Sequence, residues 1–172
     1  MTGAETSLLV AARISHTMAQ ARPRVISGGQ TGVDRLALEE ARAAGLPTGG
    51  FAPRGFMTED GPDPSLAGFG LVPHASRSYP ARTAANVDVA EVTAVFTRTP
   101  GVPPGGGTGL TISVCRKRRK PCLIDPSPQA LALAAQKAQT INVAGPRGSR
   151  LPPGRLAQIK QALAAAFALL AK

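Results

Sequence analysis

RVISGGQTGVDR, residues Arg24 to Arg35, opens as a β-branched strand and ends inside the first turn of a helix. Val25-Ile26-Ser27 reads as a buried strand, and Gly28, Gly29, Gln30, Thr31 and Gly32 make the connection, with Asp34 and Arg35 just beyond. A helix start presents backbone N–H groups without internal partners and a partial positive charge. Glycine lets a ligand approach that backbone closely, and Gln30 and Thr31 add polar side chains. The turn therefore reads as a cradle for a polar guest, phosphate above all. The plainer alternative is a tight strand-to-helix connection capped by Thr31, with Asp34 closing a capping box. The glycine spacing is not that of the dinucleotide fingerprint, and no Lys-Ser or Lys-Thr follows to make a P-loop.

Working outward, strands and helices alternate. VDRLALEEARAAG has Val33, Leu36, Ala37, Ala41 and Ala44 at helical spacing and stops at Gly45. TGGFAP is a weak strand, and residues 54–70, rich in Gly, Pro and Asp, read as a long functional or mobile loop. LVPHA suits an edge strand because of Pro73. YPARTAANVDVA is a helix, VTAVFTR the best strand, LTISVCRKRRK a helix and PCLIDP a buried strand. SPQALALAAQKA, TINVAG and LPPGRLAQIKQALAAAFALLAK follow as helix, strand and long closing helix. No hairpin signal interrupts the series. The pattern predicts an α/β, Rossmann-like three-layer fold: a mostly parallel sheet with helices on both faces. Ligands bind such sheets at the carboxyl edge, where strand order reverses. Residues 23–172 form a single ligand-binding domain, and residues 1–22 an N-terminal extension with a helix over about Glu5–Gln20.

A second glycine turn, Pro103 to Thr111, follows the best strand and opens another helix. Gly105, Gly106 and Gly107 offer backbone N–H groups, and Thr108 and Thr111 offer hydroxyls. Two such helix starts on one sheet edge suit the two ends of a nucleotide-like anion; a flexible proline-glycine loop is the alternative.

Composition narrows the classes. The chain has 172 residues, a formal charge of +10 and only 3% aromatics, with no Trp, so stacking on nucleic-acid bases has little support. Half of the charge excess lies in Arg116 to Lys120, which reads as a nucleic-acid patch or as cations at a helix C-terminus, the second being the preferred reading. Cys115 and Cys122 have no metal-ligand spacing with His16 or His74, so no metal site is expected and a reduced, cytoplasmic protein is. No apolar run approaches the roughly 20 residues of a membrane span, and the first 22 residues lack the order of a secretory signal. Glu59, Asp60 and Asp63 either hold Mg²⁺ through water and phosphate oxygens or form a solvated acidic loop. Arg82 and Asn86, four apart, share one helix face, and Arg suits bidentate phosphate contact.

SGGQTGVDR, GGFAPRG, EDG, YPARTAANV and GGGTGLT together resemble the proposed molybdenum cofactor carrier family, within a Rossmann-like group related to the Lonely guy and lysine-decarboxylase-like proteins. The likeness runs from about Arg24 to Asp125. It implies a homo-oligomer, dimer or tetramer, and a pocket for molybdenum cofactor (molybdopterin) or another anionic, phosphorylated heterocycle. By this resemblance the ligand is held by Ser27, Gly28, Gly29, Gln30, Thr31, Gly32, Asp34, Arg35, Arg54, Arg82, Thr83, Asn86, Gly105, Gly106, Gly107 and Thr108. The Lonely guy relatives cleave nucleotide N-glycosidic bonds with a motif whose Glu falls where this chain has Thr111. Hydrolysis needs an acid or base at the bond, so binding is the expectation, nucleotide N-glycosidic hydrolysis the alternative, and no catalytic residue is assigned. Neither nucleic acid nor membrane is an expected partner.

Overall fold

The computed structural model describes residues 22–76 and 78–171. The helix expected over Glu5–Gln20 lies outside the described residues, as does His16. The strands are β1 (Arg24–Ile26), β2 (Thr48–Ala52), β3 (Met57–Thr58), β4 (Gly61–Pro62), β5 (Leu71–Pro73), β6 (Val92–Val95), β7 (Cys122–Ile124) and β8 (Thr140–Ala144). The helices are α1 (Val33–Ala43), α2 (Tyr79–Val89), α3 (Gly106–Arg118), α4 (Pro128–Gln136) and α5 (Arg155–Leu170). Six strands form one sheet in the order β5-β2-β1-β8-β6-β7, every pair parallel. From β1 the chain steps outward through β2 to β5. It then starts again at β6, steps out to β7, and returns with β8 into the centre, between β1 and β6. The reversal of strand order thus lies around β8, with the carboxyl ends of β1, β6 and β8 side by side.

Period-two alternation divides the sheet into two unlike faces. Val25, Val92, Ala94, Ile141 and Val143 enter one apolar core with Val33, Leu36, Ala37 and Ala41 of α1, Leu131, Ala132 and Ala135 of α4, and Ile159, Leu163, Ala166, Phe167 and Leu170 of α5. Asn142 and Thr93, out of phase with that set, are buried together, the Asn142 amide donating to the Thr93 hydroxyl at 3.5 Å. Helices α2 and α3 pack against each other, α2 also on β2 and β8, and α3 on β6 and β7. Under them the buried side chains include Asn86, Thr108, Thr111 and Cys115. Small polar groups permit a close helix–sheet approach there but fill less volume than Leu or Phe.

Three readings need correction. Residues 54–70 are not structureless: a 3₁₀ turn at Arg54–Phe56, the antiparallel pair β3–β4 and a second 3₁₀ turn at Pro64–Phe69 occupy them. Strands of two residues are too short to show any period, so the hairpin left no mark in the pattern; its turn closes instead through Gly61, at φ 107°, and the Thr58 hydroxyl donating to Gly61 O at 2.8 Å. PCLIDP is an edge strand rather than a buried one, with Ile124 half exposed. The helix expected from Leu110 begins at Gly106, because its first turn is built of glycines that carry no apolar signal. Cys115 and Cys122 are free thiols, and no described helix is long and apolar enough to cross a membrane.

Candidate functional site

A cavity of about 710 Å³ opens at the carboxyl edge of the central strands. Its walls come from α1 (Asp34), α2 (Tyr79, Arg82, Thr83), the segment after β6 (Arg98 to Gly107), α3 (Thr108, Thr111) and the segment after β8 (Ala144 to Pro152), with Gln30 from the first glycine turn.

The second turn is the open one. Ideal Cβ atoms at Gly105, Gly106 and Gly107 meet nothing within 4 Å. Gly106 sits at φ 59°, a conformation that L side chains rarely adopt. Gly105 caps α3 without any side-chain hydrogen bond, so the first turn of the helix, which lines the cavity with Thr108, keeps its N–H groups free of side-chain caps. Thr111 donates to Gly107 O at 3.1 Å, so the hydroxyl at the place of a catalytic Glu is bound to its own helix.

The first turn is filled instead by the protein itself. A Cβ on Gly29 would meet Leu71 and Leu66 at 2.7 and 2.9 Å, and one on Gly32 would meet Gly148 N and Pro146 O at 2.5 and 2.6 Å. Val33 N donates to Pro146 O at 3.2 Å. Gln30 N donates to the Asp34 carboxylate at 3.3 Å. Gly32, not Thr31, is the N-cap, and it makes no side-chain cap bond. Thr31 turns away, its hydroxyl donating to Glu59 and accepting from Gly148 N at 3.1 Å. Ser27 donates to Val143 O at 2.6 Å, within the sheet.

Asp34 is the acid of the cavity wall. Burial pushes its carboxyl above the ordinary value, against the opposing charge of Arg82 and the N–H groups of Gln30, Gly145 and Gly28. Arg82 Nη1 lies 3.7 Å from Asp34 Oδ2, and the two side chains are 11% and 6% exposed. Arg82 Nε is buried with no hydrogen-bond partner among the described residues, an unused donor on a cavity-lining side chain. Tyr79, one turn earlier on α2, places its ring 5.9 Å from the Arg82 guanidinium.

Of the residues singled out in the sequence, Gln30, Asp34, Arg82, Thr83, Gly105, Gly106, Gly107 and Thr108 meet at the cavity. Thr111 of the second turn lines it too; the other residues expected to hold the ligand stand apart from it. Arg35 pairs with Asp63 at 2.7 Å and Glu39 at 2.8 Å, outward from the cavity. Asn86 bonds both backbone groups of Phe51, at 2.8 and 3.0 Å, fastening α2 to β2. Arg54 is exposed on its 3₁₀ turn and does not line the cavity. Glu59, Asp60 and Asp63 do not converge: Glu59 serves Thr31 and Ser149, and Asp63 serves Arg35 and Ser65. No group of three or more His, Cys, Asp or Glu suited to a metal ion occurs among the described residues. In the basic run, Arg118 pairs with Asp88 at 2.9 Å, and Lys120 donates to Asp88 O and Ala90 O, both at 2.7 Å.

Arg98, Arg147 and Arg150 also line the cavity and had no sequence signal beyond their position just after strands β6 and β8. Arg147 Nε lies 3.9 Å from Glu59; Arg98 and Arg150 form no ion pair among the described residues. Glu59 loses solvation where it sits, yet hydrogen bonds from Ser149 and Thr31 and the charge of Arg147 outweigh that and hold its carboxyl below the ordinary value.

Comparison with known proteins agrees with this architecture. The chain is similar to a solved structure from Syntrophus aciditrophicus SB described as a proposed molybdenum carrier protein, with 31% sequence identity, a TM-score of 0.71, and 86% of this chain and 95% of that chain covered. No curated protein matches it. The family model of the circularly permutated YpsA SLOG family matches residues 25–167, and the chain belongs to that family.

Proposed function

We propose that this protein binds and carries a compact phosphorylated heterocycle at the carboxyl edge of its sheet, molybdenum cofactor being the first candidate. One observation carries the reading: the open, side-chain-free start of α3 faces a cavity that also gathers Arg82, Arg98, Arg147 and Arg150. Unpaired helix N–H groups and guanidinium forks are the usual recognition elements for phosphate. The unused Arg82 Nε supports a guest with several acceptor oxygens. In this reading Gly105, Gly106, Gly107 and Thr108 take the phosphate, while Tyr79 and Val102 give the ring an apolar surface. Gln30 and Asp34 form the polar back wall; Gly28 leaves room for Arg82, and Thr31 and Gly32 seat the segment that bears Arg147 and Arg150.

The likeness to the proposed carrier from Syntrophus supports molybdenum cofactor as cargo. The residues fit such an anion, since the donors facing the cavity outnumber its acids. With Thr111 bonded to its own helix, Asp34 is the one acid on the cavity wall among the described residues, and carriage is favoured over N-glycoside cleavage. The active form proposed is a cytoplasmic homo-oligomer.

Native mass spectrometry of the purified protein with molybdopterin, and separately with nucleoside monophosphates, tests the reading, with Arg82→Ala as control. Retention of neither class, with no difference between wild type and Arg82→Ala, would sink it.

A further inference from the structure

We propose that Glu59 is a positioning residue for this cavity: its carboxylate straps the segment after β8 onto the first glycine turn and so holds Arg147 and Arg150 in place for an anion. The inference rests on the reading of the cavity as an anion site. It assigns a role to an acid that neither lines the cavity nor touches a ligand there.

The segment from Gly145 to Pro152 belongs to no strand or α-helix; it contains one 3₁₀ turn, Gly148–Arg150. Its position must come from side contacts: Val33 N donates to Pro146 O at 3.2 Å, Leu151 packs against the apolar core, and the polar contacts of Gly148 and Ser149 gather around one carboxylate. Ser149 donates to Glu59 twice, through its N–H at 3.1 Å and through its hydroxyl. The Thr31 hydroxyl donates to the same carboxylate while accepting from Gly148 N at 3.1 Å. The Glu59 backbone is itself fixed by donating to Gln30 Oε1 at 2.9 Å, the oxygen that also takes Thr31 N at 3.0 Å. Three separate segments therefore meet at Glu59: the first turn, the β3–β4 hairpin and the arginine-bearing segment. A carboxylate accepts from all of these donors at once, and its charge also faces Arg147. A glutamine of the same length would turn an N–H₂ toward one of them. Arg147 Nε, 3.9 Å away, links the strap directly to one of the two cations.

The experiment measures adenosine 5′-monophosphate binding by calorimetry, and hydrogen exchange over residues 146–152, in four full-length proteins. These are wild type, Glu59→Gln, Arg147→Ala/Arg150→Ala, and the triple variant. The expected result is a roughly tenfold weaker affinity for Glu59→Gln and faster exchange confined to residues 146–152. No further loss is expected when Glu59→Gln is added to the double arginine variant, since a residue that acts through the arginines cannot act once they are gone. An equal loss in both backgrounds, or unchanged exchange over 146–152, overturns the proposal. Ser149→Ala, which removes a donor from an exposed position, gives a smaller effect in the same direction and serves if Glu59→Gln does not fold. A wild type that binds neither this nucleotide, inorganic phosphate nor molybdopterin overturns the anion reading and the effect on affinity with it, while the exchange data judge the strap by themselves.

Discussion

The guanidinium of Arg82 occupies the space that a side chain on Gly28 would need: an ideal Cβ there overlaps Arg82 Nη1 and lies 2.7 Å from Asp34 Oδ2. The glycine that follows β1 is thus a clearance for a cation carried by α2, and the first glycine turn acts on the cavity through what it lets approach.

Gly28→Ala follows from this. Arg82 is the far end of a flexible side chain, so it moves aside rather than unfolding the sheet. The expected outcome is a small change in Tm with a loss of anion affinity similar to that of Arg82→Ala, on the order of tenfold for one charge-assisted contact. Calorimetry with a nucleoside monophosphate, alongside thermal unfolding, checks it. A fully retained affinity would separate Gly28 from Arg82.

Gly107 tests the other wall. Nothing lies within 4 Å of its ideal Cβ and its φ is not positive, so the site accepts a side chain without clash. Gly107→Glu places a carboxylate at the start of α3, and anion affinity should fall tenfold or more while Tm changes by no more than about 3 °C. The same two measurements decide it, and a collapse of the fold would refute the view of this turn as open space.

Asp34 gives a signed pH dependence. Its folded-state pKa lies above its unfolded value, so its contribution to stability is fully present below the unfolded pKa and is lost as pH rises through the folded one. Relative to Asp34→Asn, wild type should lose stability as pH rises above the ordinary carboxylate value of about 4. Urea unfolding of both proteins across that range reads the difference. For Glu59 the sign is opposite: its folded pKa is lowered, so its contribution is present above the unfolded pKa and is lost as pH falls through the folded one.

Phe167 is fully buried in the apolar core shared by α1, α4 and α5. Phe167→Ala should cost about 3–5 kcal/mol, measured by denaturant unfolding. Helices α2 and α3 pack against each other and lend no residue to that core, α2 lying on β2 and β8 and α3 on β6 and β7. Their exchange protection should fall only through the global transition.

The basic run bears on the nucleic-acid alternative. Arg116, Lys117 and Arg119 are exposed at the far end of α3 from its glycine start. Replacing all three with Ala should leave nucleoside monophosphate binding unchanged. A matching loss of binding in both this variant and Arg82→Ala would place the anion site elsewhere.

What the amino-acid order determined by itself was local. β-Branched runs and 3.6-residue periodicity marked six parallel strands and five helices, because each element's burial pattern is written within its own ten or so residues. Gly105 to Gly107 were legible for the same reason: a glycine-built helix start needs no distant partner to be open. The tertiary structure alone decided the rest. Gly28, Gly29 and Gly32 look like a second nest, yet Arg82, Leu71 and the Pro146–Gly148 backbone close on them from 42 to more than 100 residues away. Arg98, Arg147 and Arg150 lie in segments with no period to orient them. They meet at one cavity because β8 inserts between β1 and β6, a strand order set by long-range pairing that local sequence does not encode.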